Sequence, residues 1–278
     1  MTTSDTGSTM AAARQPVTLR AHAKLTLTLR VTGVRPDGYH LIDAEMVSLD
    51  LHDLITIGPV GAAGATTITA SGPFADGMPL DHRNLIARAL DAAGARATVH
   101  VDKQIPHGGG LGGGSTDAAT ALAWSGPTTS VDDLARASRL GADIPFCLVG
   151  GRARVRGIGE IVDPLPHVER TVTLVIPPLG VSTPAAYRAW DDLGGPTGDG
   201  PNDLESAALT VVPELRRWRT LIAERIGTAP VLAGSGATWF THGERASALA
   251  DLVDEGAAVV VARTVPAEVA TNRVGLGA

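Results

Sequence analysis

The chain is predicted to be an α+β protein on three observations. Residues 17–31 alternate apolar and polar side chains without a break, the periodicity of a strand with one buried face. Residues 84–93 place Leu85, Ile86, Ala89 and Leu90 on one side of a helix. Between 108 and 114 six of seven residues are glycine, and this loop runs directly into an alanine-rich helical stretch. At 278 residues the chain can bury a substantial core as one large domain or two smaller ones.

The elements follow in order. In the first strand His22, Lys24 and Thr26 share one face, while Leu25, Leu27 and Leu29 point to the core. Fifteen residues exceed an average strand, so a bend is expected near 21–23. The turn Arg35-Pro36-Asp37-Gly38 leads through Tyr39-His40 to a second strand pattern at 47–57, and a hairpin-like return near 61–64 precedes a strand at 66–70. Helix 84–93 and a strand at 97–101 deliver the chain to the glycine loop. The next helix is read with Ser115, Thr116 and Asp117 in its first turn, stopping at Ser125-Gly126-Pro127. Ser130 and Asp133 form a capping box for a helix ending at Gly141. Pro145 disfavours helix at the residue before it, so Asp143 is placed between a helix stop and an apolar strand. From position alone it reads first as a loop cap and second as a functional carboxylate. A polar loop, Asp163-Pro-Leu-Pro166, precedes a strand at 171–176. Beyond it lie a Gly/Pro-rich loop at 193–201, helices near 204–209 and 214–226, a strand at 230–232 and a close-approach turn, Gly234-Ser235-Gly236.

Glycine loses more conformational entropy on folding than any other residue, so a loop this rich in it is costly unless its backbone must wrap something closely. Free amides at the start of the following helix, with the positive end of its dipole, suit a phosphate. A Walker A reading fails because no lysine follows the glycines, and the dinucleotide pattern Gly-x-Gly-x-x-Gly arises by chance in any dense glycine run. The formal charge of −6, with no basic cluster, argues against nucleic acid as a partner but leaves room for a small anionic substrate. Cys147 is the only cysteine, so no internal disulfide can form. Residues 1–16 read as a disordered tail and not a signal peptide, and no apolar stretch reaches membrane-spanning length; a cytoplasmic protein without a membrane partner is expected. Of 23 basic residues only Lys24 and Lys103 are lysines. A chain that writes its other cations as arginine draws attention to the two places where a compact ammonium stands.

A set of short segments, in this order, carries a resemblance. They are Ala23-Lys24-Leu25, Arg35-Pro-Asp-Gly-Tyr-His40, Asn84-Leu85, Lys103-Gln-Ile-Pro106 with the glycine loop through Asp117-Ala-Ala119, Gly141-Ala-Asp-Ile-Pro145, Arg156-Gly-Ile-Gly-Glu160, Asn202-Asp-Leu204 and Gly234-Ser-Gly-Ala-Thr238. Over roughly 17–240 the chain resembles the GHMP kinases, and among them the branch of the non-mevalonate isoprenoid route whose alcohol substrate carries a cytidine diphosphate moiety. The Pro-Asp-Gly-Tyr-His segment separates that branch from relatives that share the glycine loop.

The resemblance implies a two-domain α+β GHMP kinase fold. A ribosomal protein S5 domain 2-like N-terminal domain, 17–165, would hold ATP, and a ferredoxin-like C-terminal domain, 166–278, would complete the site. ATP would lie on Pro106, Gly108, Gly109 and Gly110, on Leu111 at the centre of the loop, and on Gly112, Gly113 and Gly114. Ser115 or Thr116 would supply a hydroxyl near the phosphates and Mg²⁺, whose other ligands the sequence leaves unknown. Asp143 would take the proton from the attacking hydroxyl, with Lys24 beside it. Tyr39, His40, Tyr187 and Thr26 would meet the substrate, together with Gly234, Ser235 and Gly236. The working form would be a monomer or homodimer. Four positions depart from the family pattern on the substrate side: His22 where Pro is usual, Thr26 for Asn, Leu41 for Glu and Met46 for an aromatic residue.

Overall fold

The computed structural model describes residues 15–60, 64–126 and 130–268. Residues 1–14, which hold nearly all of the expected tail, lie outside them. β1 (Val17–Val34) and β2 (His40–Gly58) form one long antiparallel hairpin, with register shifts after His22, Thr26 and Val31. Strands of this length accumulate twist, and bulges re-aim the side chains on either side of each shift. The shift between His22 and Lys24 is the bend expected near 21–23. β2 begins at His40, well before the expected 47. In its first half Ile42, Ala44 and Met46 turn inward, while Asp43 and Glu45 pair with Arg154 and Arg152, an alternation that the reading from 47 left out.

β3 (Thr67–Ser71) does not fold back on β2. It pairs in parallel with β4 (Thr98–Asp102), and α1 (Leu85–Ala92) is the crossover between them. The side chain of Asn84 caps α1, its Oδ1 accepting from the Ile86 amide at 2.8 Å. After β4 comes α2 (Gly113–Ser125), which starts two residues earlier than read, so that Gly113 and Gly114 belong to its first turn. α2 lies against β1 and β2 with α1 and α4 beside it, and its alanines let these elements approach closely. α3 (Val131–Ser138) carries the expected capping box.

The stretch after Asp143 is helix, not strand: α4 (Ile144–Val149) has Pro145 in its first turn. A proline costs nothing there, because the amide it lacks has no intrahelical partner at that position. β5 (Arg152–Gly157) pairs with β2, and β6 (Ile161–Leu165) with β5. The expected polar loop at 163–166 is thus mostly an edge strand, which pairs with β5 alone among the described strands, a position that tolerates Pro164.

β7 (Thr171–Ile176) follows the sequence reading, α5 (Thr183–Asp192) is a helix not among the expected elements, and α6 (Glu205–Val211), α7 (Leu215–Ile226) and β8 (Val231–Leu232) again lie close to it. β9 (Trp239–His242), a 3-10 helix (Ala246–Val253) and β10 (Ala258–Val265) complete the described chain. β10 pairs with β7 over 258–263 and with β2 at Thr264 and Val265, so a single path of strands runs through the molecule. Ala23, Leu25 and Leu27 of β1 pack in one apolar cluster with Leu174 of β7 and Phe240 of β9. β1 is therefore covered on both faces between Ala21 and Leu27, and its polar residues there are enclosed and not solvated.

Candidate active site

Lys24 is 4 % exposed on the middle of β1, and its ammonium lies 3.2 Å from Asp143 Oδ2 and donates to Thr26 Oγ1 at 3.2 Å. Burying a charged lysine is tolerated where a carboxylate faces it, and Asp143, about one third exposed, supplies that partner from the start of α4. The Asp143 side chain makes no capping bond to α4, so its carboxylate is free to face the cavity. The first, structural reading of Asp143 as a loop cap is overturned by this geometry.

The glycine loop passes over Lys24. The Lys24 amide donates to Leu111 O at 3.0 Å, and a Cβ on Gly112 would stand 2.6 Å from Lys24 Cγ. Gly112 has φ +69°, where an L side chain is strained as well as blocked. On its other side the loop meets the 233–238 turn. Ala237 and Thr238 donate their amides to Gly108 O and Gly109 O, and a Cβ on Gly110 would come within 2.4 Å of Ala233 O. Gly234 and Gly236 are buried, and Ser235 shares a 2.8 Å hydrogen bond with Thr183 of α5. Asn202 fixes this turn by donating to Leu232 O and Gly234 O at 2.9 and 2.7 Å. Sequence reading quoted the Asn202 segment without a role; what it does depends on a turn thirty residues away.

A cavity of about 490 Å³ opens between these parts. Lys24, Thr26 and Asp143 line it together with Gly108, Gly110 and the 234–236 turn, and a Cβ on Gly234 would stand 3.6 Å from both Lys24 Nζ and Thr26 Oγ1. Tyr39, His40, Met46 and Tyr187 reach the same space. The His40 ring stacks on Tyr187 at 4.5 Å, stands edge-on to Trp190 at 5.7 Å, and places Nε2 2.8 Å from Asp191 Oδ1. Burial, with the Asp143 charge adding to it, raises the Tyr187 phenol above its ordinary range, so this side chain stays neutral. Tyr39 is 59 % exposed at the rim, with the Arg35 guanidinium 5.9 Å above its ring. The expected substrate contacts Thr26, Tyr39, His40, Tyr187, Gly234, Ser235 and Gly236 thus border one cavity with the departure Met46, whereas His22, turned to Leu49 O at 2.7 Å, and Leu41 do not line it.

Pro106 and His107 border a second cavity of about 670 Å³, lined also by Phe74, Ile176, Pro178 and Leu179. The glycine loop therefore runs between two cavities. Of the two hydroxyls at the start of α2, Ser115 is partly exposed and Thr116 buried, which makes Ser115 the accessible one. Among the described residues no group of three or more His, Cys, Asp or Glu side chains is placed to hold a metal. No described helix is long and apolar enough to cross a membrane.

Residues 83–151, which contain the glycine loop, α2 and Asp143, match the family model of the GHMP kinases N terminal domain. A protein of Paracoccus denitrificans named 4-diphosphocytidyl-2-C-methyl-D-erythritol kinase is 38 % identical, over 79 % of this chain and 84 % of its own length. The chain belongs to this family of GHMP kinases. A family member from Pelotomaculum thermopropionicum is 37 % identical over 81 % of this chain and 88 % of its own. The crystal structure of a 4-(cytidine 5'-diphospho)-2C-methyl-D-erythritol kinase superposes with a TM-score of 0.69 at 30 % identity, covering 89 % of this chain and 98 % of that one. A homoserine kinase from Cytophaga hutchinsonii, at 16 % identity and a TM-score of 0.58, shares the fold. As a family member the protein is an ATP-dependent kinase.

Proposed function

We propose that the protein transfers the terminal phosphoryl group of ATP to the 2-hydroxyl of 4-diphosphocytidyl-2-C-methyl-D-erythritol, a step of the non-mevalonate route to isoprenoid precursors. The observation that carries the reading is the Lys24–Asp143 pair, 3.2 Å apart at the end of a cavity whose walls are the glycine loop and the His40–Tyr187 stack.

Phosphoryl transfer asks the protein for positioning and electrostatics more than for covalent chemistry. Asp143 accepts the proton of the attacking hydroxyl, and the Lys24 ammonium beside it offers positive charge to the oxygens of the transferring group. The amides of 108–114 and the start of α2 hold phosphates, with Pro106 and Leu111 setting the course of the loop. ATP supplies the phosphoryl group, and its nucleoside suits the apolar cavity beside Pro106 and His107, which leaves the Lys24 side for the alcohol. Mg²⁺ fits a site poor in carboxylates, since this ion keeps waters and binds mainly phosphate oxygens; Ser115 is the protein hydroxyl that would reach it.

Tyr187 offers a face to the cytosine ring, Tyr39 closes from the rim, and His40 reads the edge of the base. Thr26 and the 234–236 backbone hold the diphosphate and sugar side. The division of labour places ATP largely on 17–165 and completes the substrate site from 166–278. A cytoplasmic monomer or homodimer, with no nucleic-acid or membrane partner, is consistent with the charge balance of the chain.

The reading is tested by ADP release from the purified protein with Mg²⁺ and ATP. Turnover is expected with 4-diphosphocytidyl-2-C-methyl-D-erythritol and not with the same compound lacking its cytidyl group. Equal turnover of the two, or turnover of homoserine or mevalonate instead, would sink it.

A further inference from the structure

The second lysine of the chain is as enclosed as the first. Lys103, 1 % exposed, donates to Asp53 Oδ2 at 2.5 Å and to Asp117 Oδ2 at 2.7 Å, and both carboxylates are buried. The proposed phosphoryl transfer uses none of the three. Two carboxylates share one ammonium in the interior here, and Asp117 Oδ1 has no hydrogen-bond partner among the described residues. Such a cluster is a poor source of stability compared with apolar packing of the same volume, so its presence asks for another role.

Its connections supply one. Asp53 Oδ1 accepts from the Gln104 and Ile105 amides at 2.6 and 2.8 Å, a few residues before the glycine loop. Asp117 lies in the second turn of α2, just after the loop. Both ends of the loop are thereby tied to one ammonium. Lys103 Nζ also stands 2.9 Å from the position a Cβ on Gly113 would take. Gly113 has no positive φ, so glycine is needed there for the space the ammonium fills and not for backbone freedom. Lys24 packs against Gly112 in the same way, so the two lysines of the chain sit under adjacent residues of the loop.

We propose that Lys103, held by Asp53 and Asp117, is a positioning residue for the phosphate-binding loop: it clamps the incoming strand to the outgoing helix and so fixes the direction of the loop amides. A glycine-rich segment has many conformations to choose from, and only fixed ends keep its N–H groups converged on one anion. The clamp also requires lysine. An arginine fork is larger and planar, and would have to occupy the space against Gly113.

This rests on the glycine loop being the ATP phosphate site, and the test separates the two ideas. Binding of Mg²⁺-ATP to the full chain is measured by calorimetry, with a thermal melt for each variant and steady-state kinetics on the cytidyl substrate. Lys103→Met would strand two buried carboxylates and is set aside in favour of Asp117→Leu, which leaves a neutral Lys103–Asp53 pair. Asp117→Leu and Lys103→Arg are each expected to weaken ATP binding about 10- to 100-fold, with KM for the cytidyl substrate unchanged and kcat at saturating ATP retained. Asp117→Asn, whose amide oxygen accepts the same bond, restores ATP binding to within about threefold of the native value. Native ATP affinity in Asp117→Leu overturns the proposal, as does a loss of both ligands in step with a collapsed melt, the mark of a merely structural role. Failure of the native protein to bind ATP overturns the reading of the loop itself, and the clamp with it.

Discussion

Asp143 stands at the start of α4 without capping it, so its carboxylate can be altered at little cost to the helix. Replacing it by asparagine is expected to lower kcat by about 10²- to 10⁴-fold, the contribution of a well-placed base, with ATP binding by calorimetry near native and a lowered melting temperature, because the buried Lys24 loses the carboxylate that faces it. Loss of ATP binding in the same variant would mean that the group holds a ligand and does not move a proton. Tyr187 acts through its face. Tyr187→Leu keeps an apolar side chain beside His40 but removes the ring, and KM for the cytidyl substrate should rise by the equivalent of about 1–3 kcal/mol, with KM for ATP unchanged. The sequence marked both residues, yet it could not separate a cap from a base at Asp143, because that depends on a lysine well over a hundred positions earlier. Asp53 was not singled out at all. β2 carries three other acids, Asp43, Glu45 and Asp50, and nothing local sets Asp53 apart from them.

The glycine loop is the element on which the site turns. It has φ values of +64°, +77° and +69° at Gly108, Gly110 and Gly112, with Gly109, Gly113 and Gly114 outside the positive range. Gly110→Ala combines the strain of a left-handed conformation, about 1–3 kcal/mol, with a contact to Ala233 O that has no room for a methyl group. Lower thermal stability and loss of turnover are expected together; a melt within a degree of native, with full activity, would show that the loop does not press on the 233–236 turn. The same element shows why boundaries were misread. Glycines 113 and 114 look like loop by propensity, but α2 extends over them because Lys103 and the packing of its later turns hold the helix in place. At Asp143 the error ran the other way: a proline taken as a helix breaker occupies a first-turn position where it does no harm.

At the scale of the molecule, the buried Lys103–Asp53–Asp117 cluster ties stability to pH. Burial, partly offset by Lys103 and reinforced by the charge of Asp53, pushes the Asp117 carboxyl from 3.8 up to about 8. Despite its own burial, Lys103 is held protonated by the two carboxylates. An acid whose folded pKa lies above its unfolded value contributes stability that is whole below about pH 4 and is lost as pH rises toward about 8. Thermal melts across this window should show the native protein losing stability relative to Asp117→Asn, which has no such proton; parallel curves would contradict it. What the sequence by itself determined is local: the alternation of β1, the cap of α1, the capping box of α3, the glycine loop and the order of family segments, each written in neighbouring residues. Only the tertiary structure decided that the polar face of β1 is enclosed, that β3 pairs in parallel with β4, and that β10 bridges β7 and β2. It also decided that two lysines lie under neighbouring glycines. These are contacts between residues far apart in the chain, set by which faces can be buried together, and no local pattern of side chains encodes them.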